Sequence, residues 1–217
     1  MAAQPNMHRP IPVRDDGVVL NPTRWLALPF LLVGSFLSIF DQFVVNVAAS
    51  PIGQDLHCSP LELEGVVSGY GLAYALGLIT GGRLGDAHGR KRLYRIGLLM
   101  FLVTSALCGL AHTPVELVLA RLLQGVSGAV MLPQVLALIL VQFPDQERIR
   151  ALAWFGVSLG IGQIGGQVLG GVIPYWNIFG LSWRPIFFVN VPICLVAWVC
   201  SGIWTQESRA SGRLRID

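Results

Sequence analysis

The stretch Ala151-Leu-Ala-Trp-Phe-Gly-Val-Ser-Leu-Gly160-Ile-Gly-Gln-Ile-Gly-Gly-Gln-Val-Leu-Gly170-Gly-Val-Ile-Pro-Tyr-Trp-Asn-Ile-Phe-Gly180-Leu-Ser-Trp183 carries no charged side chain. A run of about 18 or more apolar residues is long enough to cross the hydrocarbon core of a bilayer as a helix. Leu122–Pro144 and Pro185–Gln206 are likewise without charge. Across all 217 residues only 12% are charged and 53% are hydrophobic. A soluble domain carries about a quarter charged residues to keep its surface wet. The soluble globular and the disordered classes are therefore both excluded. Open sheets cannot satisfy their backbone in lipid, and the runs lack the alternation of a barrel. The fold class is an all-α membrane protein.

Six transmembrane helices are expected, over 25–49, 63–82, 93–111, 114–143, 153–175 and 185–204. The first 24 residues, with Pro5, Pro10, Pro12 and Pro22, read as a cytoplasmic tail. Residues 25–204 form the transmembrane domain, and 205–217 begin a cytoplasmic connector. All Lys and Arg except Arg121 and Arg184 then fall on the side of the N-terminus. Basic residues mark the cytoplasmic side, so both termini are expected there, in a multi-pass protein of the cell membrane. Trp25 and Trp204 are expected at the inner interface, and Tyr175, Trp176 and Trp183 at the outer one. The net charge of +3 rests on these short arginine-rich segments and gives no reason to expect a nucleic-acid partner. Cys58, Cys108, Cys194 and Cys200 form no CxxC pair and read as small apolar side chains. His8, His57, His88 and His112 lack metal-ligand spacing, so no metal and no cofactor is expected.

Three constellations carry chemistry. In the segment between spans two and three, Gly82, Gly85 and Gly89 allow a tight reversal. There Asp86 can cap the next helix or bridge to an arginine, and Arg90 and Lys91 hold the segment in the cytoplasm. In the spans themselves, Asp41 and Arg121 each cost roughly 3 kcal/mol or more on insertion scales, so each needs a partner or a wet cavity. At about 1.5 Å per residue the two lie at similar depth. They read as an ion pair, either a permanent structural bridge or a proton-coupling pair. Gln124 lies one turn from Arg121, and Gln42 and Asn46 flank Asp41. These three read as cavity-lining or helix-bridging amides. In span five, Gly162, Gly166 and Gly170 repeat every fourth residue and form a ridge for close helix approach, with Gly171 beside it. No nucleophile–base pair converges within the spans, so an enzyme is not expected.

The segment Gly82-Arg-Leu-Gly-Asp86-Ala-His-Gly-Arg90-Lys91 resembles the G-x-L-x-D-x-x-G-R-[RK] signature of the major facilitator superfamily. Ala87 stands where a basic residue is often found. Arg121-Leu-Leu-Gln124-Gly125 is similar to the family's R-x-x-Q-G motif. Gly162-Gln-Ile-Gly-Gly166-Gln167-Val-Leu-Gly170-Gly171 resembles its antiporter motif, with Gln167 in the usual proline position. Phe40-Asp41-Gln42-Phe43-Val-Val-Asn46-Val-Ala48 resembles the first-helix motif of the 14-helix drug:proton antiporters, with Phe43 in place of threonine. Ser182-Trp-Arg-Pro-Ile-Phe-Phe-Val-Asn190-Val-Pro192 is similar to that subfamily's sixth-helix entry.

The resemblance implies one six-helix half of a major facilitator fold, built as an inverted 3+3 repeat in which spans one and four line the central cavity. It implies proton-coupled efflux of small amphipathic organic molecules by alternating access. Asp41 and Arg121 would then couple to H+, and the Asp86 segment would gate against the other half. The other cavity wall would come from a second copy or from a second transporter half. The rival expectation is a truncated, non-transporting membrane fragment or a regulatory partner of a full-length transporter.

Overall fold

The computed structural model describes residues 22–177 and 180–208, and every regular element among them is helical. The elements are α1 (Arg24–Asp55), α2 (Pro60–His88), α3 (Arg90–Leu110), α4 (Pro114–Gln142), α5 (Asp145–Trp176), α6 (Pro185–Phe188) and α7 (Asn190–Trp204). Among the described residues six stretches are long and apolar enough to cross a membrane, the sixth being α6 and α7 together. The all-helical, six-span expectation agrees with this. Most of the expected tail and connector lies outside the described residues.

The helix ends follow local chemistry. Ser59 and Glu62 form a capping box at the start of α2, with Pro60 in its first turn. Thr113 and Glu116 repeat the device on α4. Glu116 is thus a capping residue. Asp145 and Glu147 lie in the first turn of α5, where the helix dipole favours acidic side chains, and α5 begins eight residues before the expected Ala153.

The segment at residues 82–92 departs from expectation. It is not an open loop. Helix α2 continues through His88 and α3 starts at Arg90, so Gly89 alone makes the reversal. Its φ of 106° is a conformation that a side chain would oppose. The sixth span is interrupted at Val189. Pro192 has no N–H to give to the preceding turn, which leaves a gap in the helical ladder there.

Cross-links tie the chain ends of the helices together. At one end, Arg24 grips Glu147 with two hydrogen bonds of 2.8 Å, and the Trp25 indole donates to the same carboxylate. The Arg90 amide donates to the Ser208 carbonyl at this end too. At the other end, Arg184 donates to Asp55 at 2.7 Å and to the Ala111 carbonyl, and the Trp183 indole also donates to Asp55. Trp183 is fully buried and packs edge-on against Phe187. It is therefore a core anchor, not the interfacial residue expected. Its indole has a partner inside the protein and gains nothing from the lipid boundary. Tyr175 and Trp176 are exposed at that end.

Helix α2 packs chiefly on α4, α5 chiefly on α1, and α3 on α4 and α7. Helices α1 and α4 are the most buried, whereas α2 and α5 leave broad apolar faces open. Two hydrophobic clusters fill the bundle. One, around Leu31, Tyr94, Phe101 and Phe143, lies toward the Arg24 end. The other, around Val44, Ile52, Leu117 and Trp183, lies toward the Asp55 end. The functional candidates lie between them.

Candidate functional site: a buried carboxylate–guanidinium pair

Asp41 on α1 and Arg121 on α4 meet inside the bundle, both wholly inaccessible to solvent. Arg121 Nη1 donates to Asp41 Oδ2 and, at 2.8 Å, to Gln124 Oε1. Arg121 Nε donates to the Val66 carbonyl of α2 at 3.2 Å. The guanidinium carbon stands 4.6 Å over the Tyr70 ring and 5.8 Å from the Phe187 ring, so flat aromatic faces replace water on that cation. Tyr70 is held by its own hydroxyl, which donates to the Ser38 carbonyl at 2.9 Å.

The second carboxylate oxygen is also bound. Gln124 Nε2 donates to Asp41 Oδ1 at 2.9 Å, and Asn190 Nδ2 donates to it at 3.2 Å. Asn190 also donates to Ser105 Oγ at 3.0 Å, and Ser105 donates to the Phe187 carbonyl. Cys108 Sγ lies 3.3 Å from Gln124 Oε1. The result is one connected network drawn from five of the six spans. Arg121 Nη2 and Asn190 Oδ1 have no hydrogen-bond partner within it. A buried charge pair with most of its lone pairs and protons satisfied can be held in a low-dielectric interior.

The sequence-predicted residues divide. Asp41, Arg121 and Gln124 come together. Gln42 is half-buried and Asn46 is exposed, and neither hydrogen-bonds to the pair. One and five residues along from Asp41, they stand on a different side of the helix. Asn190, Ser105, Cys108 and Tyr70 were not singled out for this role. The only available signal was Asn190 itself, a polar side chain in a charge-free span, two residues before a proline.

The glycine ridge abuts the site. A Cβ on Gly162, Gly166 or Gly170 would come within 2.8, 2.6 and 2.6 Å of the carbonyl oxygens of Phe36, Phe40 and Val44. Helix α5 is thus pressed onto the α1 backbone on either side of Asp41. Gly171 stands beside this ridge with only ordinary contact, and Gln167 faces outward.

Farther off, Gly82 and Gly85 lie in the last turns of α2. Asp86 Oδ1 accepts from Arg90 Nε at 3.0 Å and from Arg90 Nη2 at 2.8 Å, across the Gly89 reversal. Of the two roles open to Asp86, the bridge to arginine is the one formed. The amides of Lys91 and Arg92 in the first turn of α3 are met instead by the Glu207 carboxylate.

Residues 31–215 match the profile of the Major Facilitator Superfamily. The chain is 37% identical to the probable actinorhodin transporter of Streptomyces coelicolor, over 93% of this chain and 36% of that one. It is 36% identical to the tetracenomycin C resistance and export protein of Streptomyces glaucescens, over 86% and 34%. With multidrug resistance protein 3 of Bacillus subtilis the identity is 35%, over 86% and 36%. The chain thus spans about a third of the length of these curated relatives. Among solved structures, a bacterial homologue of the human lysosomal transporter Spinster, in its inward-facing unoccupied conformation, superposes with a TM-score of 0.71 at 20% identity. That superposition covers 89% of this chain and 46% of that one, and it speaks to the fold.

Proposed function

This chain belongs to the Major Facilitator Superfamily of membrane transporters, and from that membership we propose that it is the N-terminal six-helix half of a proton-coupled efflux transporter. It works by alternating access on small amphipathic organic molecules, in the manner of the 14-helix drug:proton antiporters. The relatives named for antibiotic export or multidrug resistance support the substrate class.

The observation that carries the reading is the wholly buried Asp41–Arg121 pair. A pair this costly to insert marks a transport or proton pathway by default. When the guanidinium is withdrawn, a carboxyl left in an apolar interior takes up a proton; when it returns, the proton is released. Gln124 and Asn190 hold the carboxylate in place while it is ionised. The ridge of α5 against α1 links helix movement to that carboxylate, since sliding one helix shifts the backbone on either side of Asp41. The pairing of α2 with α4 and of α5 with α1 agrees with an inverted 3+3 repeat. The open faces of α2 and α5 suit a second six-helix unit that supplies the other cavity wall. In this reading the Asp86–Arg90 bridge gates the cytoplasmic side, and the N-terminal segment lies in the cytoplasm.

The test is Asp41→Asn in proteoliposomes, read with an internal pH dye and a fluorescent amphipathic cation. The expected result is loss of substrate-dependent proton movement in a protein that still inserts. Undiminished coupled exchange would overturn the proposal.

A further inference from the structure

At the Arg24 end of the bundle, between α3 and α7, lies a cavity of about 470 Å³, remote from the Asp41–Arg121 pair. Lys91, Arg92 and Arg95 line it together with one carboxylate, Glu207. Ile96 and Leu99 of α3 and Trp198 of α7 complete the wall. Arg95 is the organised member of the set. Its guanidinium carbon lies 4.2 Å over the Trp198 ring, and a Cβ on Gly202 would come within 3.1 Å of that carbon. The guanidinium is therefore clamped flat between an aromatic face and a residue without a side chain. Its Nε is buried and has no hydrogen-bond partner among the described residues. Held in this way, the planar, always-charged fork keeps its two terminal nitrogens, not the buried Nε, for two-point recognition of a phosphate.

The other charges are already engaged in part. Lys91 Nζ donates to the Gly202 carbonyl at 2.9 Å. The Glu207 oxygens accept from the amides of Lys91 and Arg92, so this carboxylate is spent on the first turn of α3. Three cations against one committed carboxylate leave the cavity an excess of positive charge. From its floor an apolar strip runs on along α3 toward the middle of the bundle: Ile96, Leu99, Val103 and Leu107, each 41–48% exposed.

We propose that this cavity binds an anionic phospholipid. Arg95 takes the headgroup phosphate, Lys91 and Arg92 supply the surrounding positive field, and the acyl chains lie along the α3 strip. The strip argues for a lipid over a soluble phosphate ester. The unpaired positive charge argues against a zwitterionic headgroup, whose own cation would find no free carboxylate. Basic pockets between helices bind anionic headgroups, and a Lys or Arg near an anionic membrane surface contributes about 1 kcal/mol, or fivefold. The site requires that the chain be embedded in a membrane and does not depend on the Asp41–Arg121 mechanism.

Native mass spectrometry of the detergent-purified protein, titrated with dioleoylphosphatidylglycerol or dioleoylphosphatidylcholine, tests this. One phosphatidylglycerol should be retained at least about fivefold more tightly than phosphatidylcholine. Arg95→Gln should weaken it about fivefold. Arg83→Gln, which removes an exposed cation near the same end but outside the cavity, should leave it unchanged. Glu207→Gln removes the one negative charge that lines the cavity and should tighten binding, which keeps the test readable if Arg95→Gln fails to fold. Equal retention of the two lipids overturns the proposal, as does an equal loss in Arg83→Gln and Arg95→Gln, or no gain in Glu207→Gln. Displacement of the lipid by glycerol 1-phosphate at matching concentration overturns the lipid assignment in favour of a soluble phosphoester.

Discussion

At the scale of single residues, Asp41 and Arg121 show how much depends on partnership. Removing one member of a buried pair strands the other, at a cost of about 3–5 kcal/mol. Arg121→Gln should therefore lower the melting temperature in detergent more than the double change Arg121→Gln with Asp41→Asn. A double variant less stable than the single one would contradict the pairing. Asn190 donates at once to Asp41 and Ser105. Asn190→Leu should cost about 1–3 kcal/mol in thermal unfolding, the price of leaving those acceptors unmet. In proteoliposomes it should also shift the pH profile of the proposed transport, whereas a purely structural role would lower that activity equally at every pH. The pairing of Asp41 with Arg121 was legible in the sequence, because a charge within a span needs a partner or a wet cavity and these two opposite charges lie at similar depth. The part of Asn190 was not. An uncharged amide makes no such demand, and its partner stands 149 positions away in the chain.

At the scale of elements, the α1–α5 seam gives a sharp contrast among glycines. A methyl group on Gly166 would come within 2.6 Å of the Phe40 carbonyl, whereas on Gly156 it would meet nothing within 4 Å. Gly166→Ala should destabilise the protein by about 1–3 kcal/mol through overpacking and push α5 off α1. Gly156→Ala should cause no loss. Comparing the two melting temperatures checks this, and equal effects would mean that the ridge is not in tight contact. The repeat of small residues was readable from spacing alone. Which helix it faces was not, since spacing names a face and not its neighbour. The helix ends were only half legible. The bodies of the spans stand out by hydropathy, but α2 and α3 continue through the charged residues around Gly89. Polar residues at a helix end are tolerated once they leave the lipid, so polarity there does not signal a loop.

At the scale of the whole molecule, the ties at the two ends put Arg24, Glu147, Arg90 and Ser208 on one side, and Asp55, Ala111 and Arg184 on the other. The proposed orientation places the first set in the cytoplasm. In a background without native cysteines, Gln54→Cys should react with a membrane-impermeant maleimide on intact cells. Arg83→Cys should react only after permeabilisation. The reverse pattern would invert the topology and move the phospholipid cavity to the other leaflet.

Apolar run length and the placement of arginines, read from the chain alone, determined a six-span helical membrane protein with one buried charge pair. Both are one-dimensional consequences of the cost of polar groups in lipid. Only the folded bundle decided what surrounds that pair: Tyr70 beneath the guanidinium, Asn190 at the carboxylate, Trp183 inside the core and Arg95 clamped on Trp198. These depend on how helices rotate and slide against one another. That is set by summed contacts between residues far apart in the chain, which no local pattern encodes.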